Sequence, residues 1–220
     1  LTGAAQATVA GHPMPTAFAL DAGEEVLIQP PDAGMRSYLA LRGGFDVAPV
    51  LGSAATDTLA FVGPQALTNG ARLYAANNPA TAIAAPEDQP LLPKPGEVVE
   101  LPVTLGPRAD WFTDDMIARF LGQDWLVTPQ SSRVGIRLEG DAITRDDARE
   151  LPSEGTETGA IQIPHSGQPV LFLADHPLTG GYPVIATLLP SALDLAGQIP
   201  PGARVRFTAA APFHDMKVQP

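Results

Sequence analysis

The sequence predicts an all-β protein with two short helices, and two observations support this. First, 24 prolines and 21 glycines recur at short intervals along the 220 residues, as expected when many short strands are joined by turns. Second, the segments between these turns are mostly rich in β-branched and aromatic residues, and only two carry helix-start and helix-end signals. The simplest architecture for such a chain is one or two closed barrels.

The predicted strands are short apolar segments bounded by Gly, Pro or Asp. Their lengths fall in the usual range for strands of globular proteins. In chain order they are residues 16–20, 25–29, 36–41, 98–105, 125–128, 134–138, 170–173, 184–188 and 204–208.

The two helices are predicted from their end signals. Thr113 can serve as the N-cap of a helix over 114–121, which has two aspartates in its first turn and Gly122 at its end. A Pro-Ser pair can start a second, shorter helix over 190–196, and a glycine follows it. Both helices are too short to form the core of the protein, so the fold class stays all-β.

The chain is predicted to divide into two halves joined by a stiff connector. Residues 85–96 contain four prolines and two acidic residues, a composition typical of an extended spacer. The connector separates a first subdomain in residues 1–84 from a second in residues 97–220. The chain opens in what resembles the end of a strand, so we expect part of the first subdomain to be absent from it.

Charge and composition argue against several classes of protein. The net charge of −11 disfavours binding to nucleic acid or to anionic membranes. The absence of cysteine removes disulfides, thiolate catalysis and Cys-ligated metals, and it suits the cytoplasm, which is the expected location. No window approaches the roughly 18 uninterrupted apolar residues of a membrane helix. The four histidines never occur four residues apart, so no metal site is expected.

Nucleotide-binding and hydrolase motifs are missing from the sequence. There is no P-loop, no dinucleotide fingerprint and no Gly-x-Ser-x-Gly elbow. We therefore expect this chain alone neither to bind ATP in a P-loop nor to carry out metal-dependent hydrolysis.

Residues 128–140 (TPQSSRVGIRLEG) form a candidate ligand-binding segment. Gln130 and Ser131 present an amide and a hydroxyl in a loop. Arg133 and Arg137 lie four residues apart, which places both on one face if the segment is a strand. Two guanidinium groups on one face suit a carboxylate or phosphate ligand. The alternative is a solvated strand face on which the arginines pair with acidic residues.

Two polar side chains downstream are candidates for recognising a small amide. Glu154 lies in a tight turn, where its carboxylate can accept a hydrogen bond from a ureido or lactam N–H. It can also act as a general base if desolvated, or be an ordinary turn acid. Gln162 stands between two isoleucines, so in a strand its amide points away from them and toward a pocket.

A glycine-rich turn and a histidine complete the candidate residues. Thr179, Gly180, Gly181 and Tyr182 offer successive backbone N–H groups, which suit an anion or an oxyanion but also an ordinary glycine hairpin. His176 follows an aspartate and is a candidate proton-transfer group, although a single histidine is more often structural.

Six motifs, in this order, resemble the biotin-dependent carboxyltransferase A/B family. They are YLALRGGFDVAPVLGS (residues 38–53), GPRADWF (106–112), PQSSRVGIRLEG (129–140), LPSEG (151–155), GAIQIP (159–164) and LADHPLTGGYP (173–183). The resemblance covers nearly the whole chain, and the linked motifs are more specific than any one of them. It implies paired cyclophilin-like β-barrels, the first incomplete in this chain, in agreement with the strand pattern.

The resemblance also implies a choice of functions. The family includes allophanate hydrolase subunit 2, the carboxyltransferase part of urea amidolyase and the C subunit of bacterial 5-oxoprolinase. The function we expect is a subunit of an ATP-dependent 5-oxoprolinase, opening 5-oxoproline to glutamate with companion subunits. ATP would act through the complex, with no cofactor bound covalently. The alternatives are carboxyl transfer from carboxybiotin to urea, with biotin as the cofactor, and a non-catalytic partner that regulates a companion subunit.

Under the 5-oxoprolinase function the candidate residues take distinct roles. Arg133 and Arg137 would hold the substrate carboxylate or a phosphate. Glu154 and Gln162 would hold the lactam, and residues 179–182 would stabilise charge on its oxygen. A chain with no fused biotin carboxylase or biotin carrier fits this function better than urea carboxylation.

Overall fold

The computed structural model describes residues 1–79, 91–145 and 150–210, in two compact units. The first unit contains Leu1–Pro30 and the described residues from 37 to 79. The second contains Pro31–Arg36 and the described residues from 91 onward. Residues 85–90 of the predicted connector lie outside the described residues, so the subdomain boundaries at 84 and 97 stay a prediction.

Five short strands form two small sheets in the described part of the first unit. β1 (Thr2–Gly3), β2 (Ala7–Val9), β3 (His12–Pro13), β4 (Val26–Ile28) and β5 (Ser37–Tyr38) are its strands. β1 pairs with β5, and β2 lies between β3 and β4, all antiparallel. Ala7 and Val9 are buried, whereas larger apolar side chains such as Leu51 and Phe61 are exposed.

A closed barrel of seven strands forms the body of the second unit. Its strands are β6 (Val98–Leu105), β7 (Trp125–Val127), β8 (Gly135–Glu139), β10 (Ala160–Gln162), β11 (Val170–Phe172), β13 (Val184–Leu188) and β14 (Arg204–Ala209). Their order around the barrel is β10-β11-β8-β7-β14-β6-β13, and β13 pairs with β10 to close it. All neighbours are antiparallel except β14 and β6. Two further strands, β9 (Glu154–Gly155) and β12 (Thr179–Gly180), pair with each other outside the barrel.

Two short helices complete the second unit. In α1 (Asp114–Leu121) the Thr113 hydroxyl accepts a hydrogen bond from the Met116 N–H at 3.3 Å, and Gly122 ends the helix as predicted. A 3-10 turn over Pro190–Ala192 leads into α2 (Leu193–Ala196). No helix in the described ranges is long and apolar enough to cross a membrane. The prediction of a mostly β fold with two short helices is confirmed.

The core fills the barrel and is closed by α1. Phe120, on the buried face of α1, is fully inaccessible and stacks on Phe207 of β14, with ring centroids 4.6 Å apart. Trp125, also inaccessible, donates a hydrogen bond from Nε1 to the Phe120 carbonyl at 3.0 Å. A second, smaller cluster of Ala160, Phe172 and Val184 lies apart from this core. Since side chains alternate along a strand, these three face outward from the barrel wall while Ile161 faces inward.

Some predicted strands differ from the structure. The prediction of a strand over 16–20 is wrong: these residues carry no strand, although they are apolar, because a strand also needs a neighbour for its backbone groups. The strand predicted over 36–41 is reduced to the two residues of β5. The two-residue strands β9 and β12 were missed, since two residues are too few for any periodicity to be read.

The segment Pro31–Arg36 is tied into the second unit by hydrogen bonds. The Gln198 side-chain oxygen accepts from the backbone N–H groups of Met35 and Arg36 at 2.9 and 2.8 Å, and its amide nitrogen donates to the Arg36 carbonyl at 3.0 Å. Arg36 Nη2 in turn donates to the Ser132 carbonyl at 3.0 Å. This contact supports the loop that carries several candidate binding residues.

Candidate functional site

The small sheet formed by β9 and β12 carries the candidate site. Glu154 faces Gly180, and Gly155 faces Thr179, in an antiparallel register. The pairing continues beyond the two strands, since the Thr156 N–H donates to the Leu178 carbonyl at 3.0 Å. The structure therefore brings the predicted carboxylate and the predicted glycine-rich turn side by side.

Arg108 makes a two-pronged ion pair with Glu154. Its Nε donates to Glu154 Oε2 at 3.0 Å, and its Nη2 contacts Oε1. The two side chains are 38% and 32% exposed, so the pair is partly shielded but still reached by solvent. A guanidinium that meets a carboxylate with two parallel N–H groups holds it in one orientation. Glu154 is thus a carboxylate held by an ion pair and not an isolated turn acid.

The turn at Gly106 brings Arg108 to this position. The Gly106 N–H donates to the Ile185 carbonyl at 2.9 Å at the end of β6. A Cβ at Gly106 would lie 2.3 Å from the Val184 carbonyl oxygen, so only glycine allows the chain to pass so close to β13. Arg108 follows directly after this close approach.

The ion pair sets the charge state of Glu154. The hydrogen bond from Arg108 holds the pKa of the Glu154 carboxyl below its ordinary value, and the carboxylate raises the pKa of Arg108. Glu154 is therefore ionised at neutral pH and is a hydrogen-bond acceptor. The sequence also allowed Glu154 to be a desolvated general base with a raised pKa. The ion pair with Arg108 disfavours that interpretation.

The lowered pKa of Glu154 predicts an acid-sensitive contribution to stability. A depressed carboxyl pKa stabilises the fold above the unfolded value of about 4.3, and this stabilisation is lost as pH falls through the lower folded value. We expect wild-type protein to melt slightly above Glu154→Gln at pH 7, and the difference to vanish as pH falls below the lowered pKa of Glu154. Melting curves of both proteins across this range, at low salt, measure it. The matched control is Arg108→Gln, in which the pKa of Glu154 should lie near its ordinary value. A difference in melting temperature between wild type and Glu154→Gln that persists at the acid end contradicts the lowered pKa of Glu154.

Gln162 lies buried between the barrel and the turn at 179–182. The side chain is 4% exposed, and its Nε2 donates to the Tyr182 carbonyl at 2.9 Å. Tyr182 itself is 40% exposed, and its ring meets His165 edge-on at 5.6 Å. The predicted outward orientation of Gln162 agrees with this arrangement, whereas its contact with a ligand stays a prediction.

His176 is held by backbone and hydroxyl groups. Its Nδ1 lies 2.8 Å from the Pro177 carbonyl oxygen and 3.1 Å from Thr156 Oγ1, and its ring stacks on Phe172 at 5.8 Å. A carbonyl oxygen only accepts, so in the contact with Pro177 it is Nδ1 that donates. The neighbouring Asp175 pairs with Arg133.

The arginines of the 128–140 segment do not share a strand face. Arg133 precedes β8 and its Nε pairs with Asp175 Oδ2 at 2.8 Å, whereas Arg137 lies within β8 and is exposed. The expectation of two guanidinium groups on one strand face is therefore wrong, because the strand begins two residues later than Arg133. Ser131 Oγ accepts from the Arg137 backbone N–H at 3.0 Å, and Gln130 is exposed.

Sequence reasoning missed Arg108 and Thr156. GPRADWF is one of the six family motifs, but nothing local in it distinguishes Arg108 from a surface arginine. Its partner lies 46 residues away, so only the fold reveals the pair. The available signal was weak: Arg108 stands directly after a Gly-Pro turn, at the end of a predicted strand.

A match over nearly the whole chain assigns it to a family. Residues 1–209 match the family described as carboxyltransferase domain, subdomain A and B, and the chain belongs to it. The family predicted from the six motifs is thereby confirmed.

Individual relatives come from two kinds of enzyme. The chain is similar to the C subunit of 5-oxoprolinase from Escherichia coli K12, with 35% identity over 203 residues, which are 91% of this chain and 64% of that protein. It is also similar to the urea amidolyase of Saccharomyces cerevisiae, at 32% identity over 80% of this chain and 11% of the yeast protein. The crystal structure of Kluyveromyces lactis urea carboxylase superposes with a TM-score of 0.83 at 26% identity, covering 96% of this chain and 21% of that one. The chain thus spans less than two thirds of the 5-oxoprolinase subunits that it matches.

Proposed function

We propose that this chain belongs to an ATP-dependent 5-oxoprolinase, which opens 5-oxoproline to glutamate together with companion subunits. The observation that supports it is the ionised Glu154, held by Arg108 and paired through β9 with the glycine-rich turn. The similarity to the C subunit of 5-oxoprolinase favours the same substrate class. A lactam presents an N–H beside a carbonyl, which calls for an acceptor next to donors.

The proposed site recognises the lactam by its two polar atoms. The Glu154 carboxylate accepts a hydrogen bond from the ring N–H. The backbone N–H groups of Gly181 and Tyr182 face the ring oxygen and stabilise the negative charge of the phosphoryl group transferred to it. Arg133 and Arg137, the cations of the neighbouring loop and strand, are the proposed contacts of the substrate carboxylate or of a phosphate.

ATP enters the proposed reaction through the complex. Transfer of a phosphoryl group from ATP to the lactam oxygen releases ADP and makes the ring carbon susceptible to water. Addition of one water and breakage of the carbon–nitrogen bond of the ring leave an acyl phosphate. A second water hydrolyses it to the carboxylate and inorganic phosphate. The ring nitrogen takes up a proton, and His176 is the proposed donor or relay because Nδ1 is occupied and Nε2 is available. The products are glutamate, ADP and inorganic phosphate.

Carboxyl transfer from carboxybiotin to urea is the second candidate function. The fold similarity to urea carboxylase and the sequence similarity to urea amidolyase favour it. Urea and the ureido ring of biotin also present N–H groups beside a carbonyl, so the same acceptor and donors would serve. This function predicts binding of biotin or of a biotinylated carrier domain, which the first does not.

The test of the proposed function is glutamate release from 5-oxoproline by the reassembled complex. Full-length protein is mixed with its companion subunits, and glutamate is measured with and without ATP. We expect release that needs both ATP and this chain.

The control is the companion subunits alone, which should release no glutamate. An intact complex without activity would contradict the proposal, and biotinylated carrier with urea would then be tested. A complex whose activity does not need this chain, but is modulated by it, would indicate the regulatory function.

A further inference from the structure

Gln162 is a buried amide on the outer wall of the barrel. Within residues 1–79, 91–145 and 150–210, Gln162 is the one polar or charged residue that is buried. Its neighbours Ile161 and Ile163 are fully inaccessible within the core, so alternation along β10 turns Gln162 outward, on the same face as Ala160. Burial of an amide is unfavourable unless it is hydrogen-bonded, so its partner indicates its role.

The partners of Gln162 are backbone atoms of the turn above it. Nε2 donates to the Tyr182 carbonyl at 2.9 Å. A Cβ placed on Gly180 would lie 2.5 Å from Nε2 and 3.2 Å from Oε1, so the amide packs directly against the Gly180 backbone. Gly180 does not have a positive φ, so glycine is required there by close approach and not by backbone conformation.

This contact reaches Glu154 through the strand register. Gly180 is the residue that faces Glu154 in the β9–β12 sheet. A shift of β12 away from the wall would carry β9 with it and move the carboxylate relative to Arg108. The register of β10 against β13 shifts between Ile161 and Gln162, next to this contact.

We propose that Gln162 is a positioning residue. It holds β12 against the barrel through the Tyr182 carbonyl and the Gly180 backbone, and so places the Glu154 carboxylate beside Arg108. It acts through the backbone of the turn and does not touch the substrate. The activity readout below rests on the proposed function, whereas the exchange readout does not.

Hydrogen–deuterium exchange of full-length protein tests the proposal with Gln162→Met, which keeps the length of the side chain and removes the donor. We expect exchange in peptides covering 176–183 to quicken about tenfold, as for the loss of one hydrogen bond. Peptides from β6 and β14 should exchange as in wild type. In the reassembled complex, kcat should fall because the Glu154 carboxylate is displaced from its place in the transition state, while KM changes by less than about twofold because Gln162 itself does not touch the substrate.

Gly180→Ala and Gly155→Ala form a matched pair of glycine variants. They change facing strands of the same sheet, but a Cβ at Gly155 meets nothing within 4 Å. We expect Gly180→Ala to reproduce the faster exchange over 176–183, and Gly155→Ala to leave it unchanged. If Gln162→Met unfolds the whole barrel, the exchange rates of the two glycine variants test the proposal by themselves.

Two results would overturn the proposal. One is a loss of activity in Gln162→Met with unchanged exchange over 176–183, which would make Gln162 a direct substrate contact. The other is equal exchange in the two glycine variants. Absence of 5-oxoprolinase activity in the wild-type complex, with the expected exchange differences, would contradict the proposed function and leave the positioning role standing.

Discussion

Replacing Glu154 by glutamine is expected to lower ATP-dependent glutamate release by the reassembled complex about a hundredfold. The neutral amide removes the negative charge that faces the lactam N–H and leaves Arg108 without its anionic partner. The fold should survive, since an ion pair that solvent reaches contributes little to stability. Steady-state kinetics of the complex together with melting curves of the free subunit measure both effects.

Glu157→Gln is the matched control for that experiment. Glu157 lies three residues further along the same loop and is exposed, so this variant removes the same charge away from Arg108. Its activity should stay within about twofold of wild type, as for most surface substitutions. Near-normal turnover of Glu154→Gln would remove Glu154 from the mechanism, and a loss in Glu157→Gln would indicate a general charge effect.

The largest expected effect on stability is that of Phe120→Ala. The side chain is fully inaccessible, stacks on Phe207 and fills the end of the barrel under α1. Deleting a buried phenylalanine costs about 3–5 kcal/mol in the free energy of unfolding, through lost burial and the cavity left behind. Urea denaturation followed by tryptophan fluorescence measures it, because both tryptophans lie in the second unit.

Leu178→Ala provides the comparison for the core variant. Leu178 is 84% exposed beside the candidate site, so its truncation should change the free energy of unfolding by less than about 0.5 kcal/mol. A cost below about 1 kcal/mol for Phe120→Ala would contradict the packing of α1 into the barrel. Similar costs for both variants would mean that burial does not determine stability here.

Local signals were enough to predict most regular elements of the second unit. The predicted helix over 114–121 and its Thr113 cap match α1, because capping depends on residues within one turn. The predicted strand over 98–105 matches β6, whose eight residues are long enough to show the apolar pattern. The prediction of a strand over 16–20 was wrong because an apolar run does not reveal whether a pairing partner exists.

The candidate site could be predicted as a set of residues but not as a geometry. Glu154 and the turn at 179–182 were both singled out from the sequence, yet their pairing as two-residue strands depends on the barrel beneath them. The ion pair of Arg108 joins residues 46 apart, and that of Arg133 joins two loops. Contacts of this kind follow from closure of the barrel and leave no periodic trace in the chain.

The sequence by itself determined the fold class, the principal barrel strands, the capped helix and the family, because each depends on local pattern or on linked motifs. The tertiary structure alone decided the ion pair that lowers the pKa of Glu154, the contact of His176 Nδ1 with the Pro177 carbonyl and the burial of Gln162 against Gly180. Those properties arise from groups that are distant in the chain and close in space. Protonation and hydrogen bonding respond to distances of a few ångströms, and only the folded barrel determines those distances.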